Sequence, residues 1–120
     1  MLAEIADARQ IPGEEKRRWF NDDYFDLIVW LKDEGGFAGF QLCYDKFHNE
    51  RALTWRREAG FRHEKVDDGD SPGHAKMTPV LIPDGEFAWQ DVAARFRAAS
   101  AEIDARVAGF VAEKLLTYPG

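Results

Sequence analysis

The residues of this chain best suited to act together chemically are two arginines, two tryptophans and an aspartate. These are Arg17, Arg56, Trp19, Trp30 and Asp26, with Gln41 and Thr54 as polar companions. A guanidinium is a planar fork of donors that matches a carboxylate or a phosphate. An indole offers a flat apolar face for stacking. Gln41 and Thr54 could fix the orientation of a ligand held between them. The set therefore suits a small site for an anionic molecule. If the site were catalytic, Asp26 would be its acid or base, and Arg17 and Arg56 would anchor the substrate. General acid–base work needs a pKa moved toward neutrality, whereas flanking arginines push a carboxylate downward. Binding is the better expectation, and no catalytic residue is assigned. A plainer reading is that Asp26 pairs with an arginine and the indoles fill space, because an unpaired buried charge is expensive.

These residues meet only if the segments carrying them are neighbouring strands. Lys16 to Phe20, Phe25 to Lys32, Phe37 to Asp45 and Ala52 to Arg57 are rich in β-branched and aromatic residues. Asn21-Asp22-Asp23, Asp33-Glu34-Gly35-Gly36 and the polar stretch 46–51 separate them as turns. Side chains alternate between faces with period two. With an even number of residues in each hairpin loop, Val29 falls opposite Phe40, Leu27 opposite Leu42 and Phe25 opposite Tyr44. Phe20 meets Phe25, and Leu53 and Trp55 extend the same apolar face. The second face then collects Arg17, Trp19, Asp26, Trp30, Gln41, Cys43, Thr54 and Arg56. The expected rows are Arg17, Ile28, Gln41 and Arg56, then Trp19, Asp26, Cys43 and Thr54. Trp30 lies across from Gly39, where a ring could cover bare backbone.

Around this sheet the pattern is simpler. In residues 1–13, Leu2, Ile5 and Ile11 could anchor a short helix or strand that Pro12-Gly13 closes. Gly60 marks a bulge before a fifth strand, Phe61 to Val66. Asp67 to Gly73 is a loop, and Met77 to Ile82 a last strand, with Pro79 at an edge. Trp89, Val92, Phe96, Ala99 and Ile103 recur at helical spacing, as do Val107, Phe110, Val111 and Leu115. An unbroken helix over 87–116 would be ~45 Å long, so a break near 100–104 is expected, with Asp104 as the second cap. The chain reads as one domain, 1–120. Its fold class is α+β: an antiparallel meander of five to six strands over 14–82, packed on one face by helices over 86–117.

Composition narrows the function classes. The chain has 120 residues, 22 acidic against 16 basic, and a formal net charge of -6. Nucleic acid is a poor partner, because such binders carry a basic excess and alternation splits Arg17-Arg18 and Arg56-Arg57 between faces. Cys43 is the single cysteine, which fits a reducing compartment; as a lone strand thiol it reads as a small buried hydrophobe. His48, His63 and His74 lie in or near loops, and with Asp67, Asp68 and Asp70 they match no zinc or EF-hand spacing. No metal and no cofactor is expected. The first residues do not read as a signal peptide, and apolar runs fall far short of the ~20 residues that span a bilayer. A cytoplasmic location follows, with no membrane partner. The terminal helices, carrying Trp89, Phe96 and Phe110, could cover the sheet or form a homodimer surface.

The runs Arg17-Arg18-Trp19-Phe20, Asp26-Leu27-Ile28-Val29-Trp30, Gly39-Phe40-Gln41-Leu42-Cys43-Tyr44-Asp45 and Leu53-Thr54-Trp55-Arg56 resemble a group of small uncharacterised bacterial proteins. The resemblance covers most of the chain. It implies a self-contained bacterial cytosolic domain, and it carries over no catalytic or binding residue.

Overall fold

Alternating apolar and polar side chains between Arg17 and Arg57 make each segment a strand with one face to bury. The computed structural model describes residues 1–6, 8–46, 50–67, 80–83 and 89–118, with backbone alone at 66–67 and 80–83. Among the described residues, seven strands follow one another in a single sheet. They are β1 (Ala3–Glu4), β2 (Lys16–Asn21), β3 (Phe25–Leu31), β4 (Phe37–Tyr44), β5 (Arg51–Arg56), β6 (Gly60–Asp67) and β7 (Val80–Pro83). All neighbours pair antiparallel. Helices α1 (Trp89–Ala99) and α2 (Ala105–Leu116) come last. The fold is the expected α+β meander of six strands with terminal helices, plus the two-residue stub β1. The expected positions of Met77, Pro79 and Phe87 lie outside the described residues.

The apolar face of the sheet is the core. Phe20, Phe25, Leu27, Val29, Phe40, Leu42 and Leu53 are buried there, together with Val92 and Phe96 of α1 and Val107, Val111 and Leu115 of α2. The Phe25 and Phe96 rings meet edge to face at 5.9 Å, and Phe110 stacks on Phe37 at 4.3 Å. Burial of one such side chain contributes about 1.5–3 kcal/mol, so these contacts hold the helices on the sheet. The helix break falls where expected. Asp104 caps α2 by accepting a hydrogen bond from the Arg106 amide at 2.8 Å. Arg18, at the rim of the core face, bridges Glu4 at 2.7 Å and Asp104 at 2.9 Å. One guanidinium thus ties β1, β2 and the start of α2 together. It holds the carboxyls of Glu4 and Asp104 below their ordinary values.

The central register is as expected. Val29 lies opposite Phe40, Leu27 opposite Leu42, Phe25 opposite Tyr44 and Trp30 opposite Gly39. Two outer pairings differ. Phe20 faces Leu27, not Phe25, because Asp22 closes the turn by accepting the Tyr24 and Phe25 amides, so pairing resumes at Asn21 and Asp26. β5 is also displaced by two residues, so that Gln41 faces Thr54 and Gly39 faces Arg56. There the turn begins at Asp45, whose left-handed backbone (φ 57°) a short polar side chain tolerates. A two-residue slide preserves facing, so every side chain keeps its predicted face. At the hairpin end of β3 the pairing shifts between Trp30 and Leu31, leaving Ala38 as a bulge beside the turn at Gly35. Gly60, at φ 78°, is the left-handed residue that follows the turn into β6.

Candidate functional site

The observed register changes which residues of the second face stand together. Across β2 to β5 the rows are Arg17, Trp30, Gly39 and Arg56; then Trp19, Ile28, Gln41 and Thr54; then Asn21, Asp26, Cys43 and Ala52. The expected rows, with Arg17 opposite Ile28 and Trp19 opposite Asp26, are corrected by the two slides.

The first row is the candidate site. Arg56 lies flat, with its guanidinium carbon 4.0 Å from the centre of the Trp30 ring. Its path crosses Gly39, and a Cβ at that position would stand 3.3 Å from Arg56 Cδ and press on the Trp55 carbonyl oxygen. Only glycine leaves that path open. Past the ring, Arg56 Nη1 donates to Glu15 Oε1 at 2.6 Å. Arg56 therefore pairs with Glu15, and among the described residues Asp26 has Trp19 as its partner and no arginine. Arg17 stands at the other end of the row. Its Nε donates to the Arg9 carbonyl at 2.6 Å, and its terminal nitrogens have no partner among the described residues. Arg17, Trp30, Arg56, Ile11, Glu14 and Glu15 enclose a cavity of about 180 Å³. That is room for about half a dozen water-sized groups.

The cavity has a roof that the sequence reading did not foresee. The segment from Arg9 to Glu15 runs back over the first row as a strap. It leaves β1 along the edge of β2, where the Ile5 amide donates to the Trp19 carbonyl at 2.8 Å. Gln10 then acts as a one-residue strand: its carboxamide accepts the Arg17 amide at 2.9 Å and donates to the Arg17 carbonyl at 2.8 Å. A turn at Pro12-Gly13, with Gly13 at φ 85° and the Glu14 amide donating to the Ile11 carbonyl, lowers Glu15 onto Arg56. Ile11 is not the buried anchor expected of it but lies 41% exposed at the cavity mouth. The signal for Glu15 is in the alternation: two residues before Arg17, it shares the second face, just ahead of the strand expected from Lys16.

The other expected site residues close on one another. Trp19 Nε1 donates to Asp26 Oδ1, and Gln41 Nε2 donates to Thr54 Oγ1 at 3.1 Å. None of these four lines the cavity. Cys43 sits beside them with its thiol pushed up to about 12, first by burial and then by the Glu50 and Asp26 charges. At that value it is no nucleophile. A second cleft, about 420 Å³, opens beside the strap, but Glu14, Glu15, Asp33 and Glu34 make it acidic apart from Lys32.

His63 lies in the strand expected over Phe61 to Val66, and what the sequence did not show is its burial and its partner. It stands opposite Leu53, buried, with Nε2 2.6 Å from the Tyr44 hydroxyl. His48, His74, Asp68 and Asp70 lie outside the described residues. Among the described residues, no cluster of histidine, cysteine and acidic side chains could hold a metal ion, and no helix is long and apolar enough to cross a membrane. No family model matches the chain, and it matches no curated protein and no solved structure.

Proposed function

We propose that this chain is a small binding domain that holds an anionic small molecule on the second face of its sheet, at Arg17, Trp30 and Arg56. The observation that carries this reading is the cavity lined by Arg17, Trp30 and Arg56, in which the Arg56 guanidinium sits over the indole and the terminal nitrogens of Arg17 are unengaged among the described residues. Planar donors beside an aromatic wall suit a carboxylate or phosphate on a compact body. The rival reading, an enzyme with Asp26 as acid or base, loses ground because Asp26 is engaged by Trp19 and stands outside the cavity lining. In this proposal Trp19, Asp26, Gln41 and Thr54 support the floor of the site. The setting we infer is the bacterial cytosol, in line with the lone Cys43 and the resemblance noted above. A homodimer through the helices is the further reading to be weighed, and the exposed Leu116 on α2 is what favours it.

A native mass spectrum of the purified protein tests these readings together. A retained anionic adduct that disappears in Arg17→Ala supports the site. An adduct of equal mass and occupancy in Arg17→Ala would overturn it. A dimer peak would speak for the helical interface.

A further inference from the structure

Resting on that reading, we infer that Glu15 is a built-in ligand, and that the site takes a small dicarboxylate in its place. The contact on Arg56 is itself a sample of the chemistry the site accepts. A carboxylate on a short flexible stem reaches the guanidinium at 2.6 Å while the other side of that guanidinium rests on Trp30. Both partners keep about a third of their side-chain surface in solvent, 34% for Arg56 and 37% for Glu15. An exposed pair of this kind is weakly held, and a competing anion from solution can replace it.

Two separate anchors, rather than net charge, favour a dicarboxylate over a monocarboxylate. The cavity lining holds Arg17 and Arg56 against Glu14 and Glu15, so it is neutral with the strap down. Once Glu15 swings out, one positive charge is left in excess around Arg17 and Arg56. A dicarboxylate supplies one group to Arg56, where Glu15 was, and one to the terminal nitrogens of Arg17. Its short apolar body lies against Trp30 and Ile11. The cavity, at about 180 Å³, is well below the ~300 Å³ at which sites for drug-sized ligands begin, which limits the ligand to a few carbon atoms.

The strap is built to yield. Between the Gln10 bridge and the start of β2, its described contacts are the Pro12-Gly13 turn and the Glu15–Arg56 pair. Gly13 is in a left-handed conformation with nothing within 4 Å of the position a Cβ would take. No neighbour packs against that side of the turn. The population with Glu15 seated is unavailable to ligand, and the apparent affinity falls by the fraction that remains open.

Isothermal titration of wild type, Glu15→Gln, Glu14→Gln and Arg17→Ala with succinate, acetate and inorganic phosphate tests this, with thermal melts as a check on folding. Succinate should bind Glu15→Gln more tightly than wild type, by about threefold to tenfold. It should bind better than acetate, and Arg17→Ala should abolish that preference. Equal succinate affinity in wild type and Glu15→Gln would overturn the built-in ligand while leaving the site intact. An equal gain in Glu14→Gln would reduce the effect to bulk charge and overturn it as well. Phosphate bound in preference to succinate would overturn the dicarboxylate. No binding of any probe to either wild type or Glu15→Gln would overturn the site itself.

Discussion

Gly39→Ala should be among the most damaging single-methyl changes in this protein. The new Cβ would meet the Trp55 carbonyl oxygen, and it would stand 3.2 Å from the Arg56 Cα. Both are backbone atoms of the neighbouring strand β5 and cannot turn aside as a side chain can. β4 and β5 must separate locally, an overpacking cost of about 1–3 kcal/mol. Arg56 would also be lifted off Trp30, at about 0.5–1 kcal/mol for a partly exposed stack. Its pair with Glu15 contributes about 0.2–1 kcal/mol more, as exposed pairs do. Against this, alanine restricts the unfolded chain and returns about 0.4–1 kcal/mol. The net loss is about 1–4.5 kcal/mol, centred near 2.5, or roughly a 10 °C fall in melting temperature for a domain of this length. Thermal unfolding followed by circular dichroism measures it. Gly109→Ala is the control: it lies in α2 with nothing within 4 Å of its Cβ position, so helix propensity should raise stability by about 0.5–1 kcal/mol. A Gly39→Ala protein melting within about 2 °C of wild type would refute the close approach and the path assigned to Arg56.

Three further outcomes follow from the same contacts. The bridge from Arg18 to Glu4 and Asp104 lowers both carboxyl pKa values in the folded state, so its stabilisation is present above their unfolded values and fades as pH falls through the folded ones; the melting-temperature gap between wild type and Arg18→Ala should therefore shrink below about pH 4, and a gap that widened in acid would contradict the bridge. Cys43, with its thiol near 12, should resist iodoacetamide at pH 8, where roughly one molecule in ten thousand carries the thiolate, and should alkylate on unfolding in urea; prompt labelling of the native protein would show that the burial is wrong. Gln10→Ala should cost under about 1 kcal/mol, since its bonds are solvent-exposed, but it uncovers the Arg17 peptide group at the sheet edge, and light scattering at high concentration should then report more self-association than in wild type.

Much of the fold was legible because facing is a period-two property. A strand can slide by two residues without turning a side chain over, so Phe20, Leu53 and the central pairs kept their faces although β2 and β5 are displaced. Exact partners were less legible. They depend on where a turn closes, and Asp22 and Asp45 set that through local backbone geometry that composition does not reveal. The helix break was readable from length and from Asp104, a good cap at the right place. The site was legible in part. Arg17 and Arg56 share a row as expected, but Trp30 and Gly39 stand in it where Ile28 and Gln41 were expected, and Asp26 and Trp19 satisfy each other, as do Gln41 and Thr54. The roof was missed because residues 9–15 have no periodicity. A strap held by one carboxamide and one ion pair leaves no hydrophobic pattern to read. The strand at His63 was legible from Phe61 to Val66, but its bond to Tyr44 was not, because it joins β6 to β4 across β5.

Arg17, Trp30 and Arg56 should respond to ligand as one anion site. The most direct test is a succinate titration of isotope-labelled protein followed by NMR. The account requires the backbone amides of Arg17 and Arg56 and the Trp30 indole N–H to shift together and saturate at about millimolar ligand or below. In Arg17→Ala the same signals should stay still. Signals that do not move by about 20 mM succinate, or that move as much in Arg17→Ala, would contradict it.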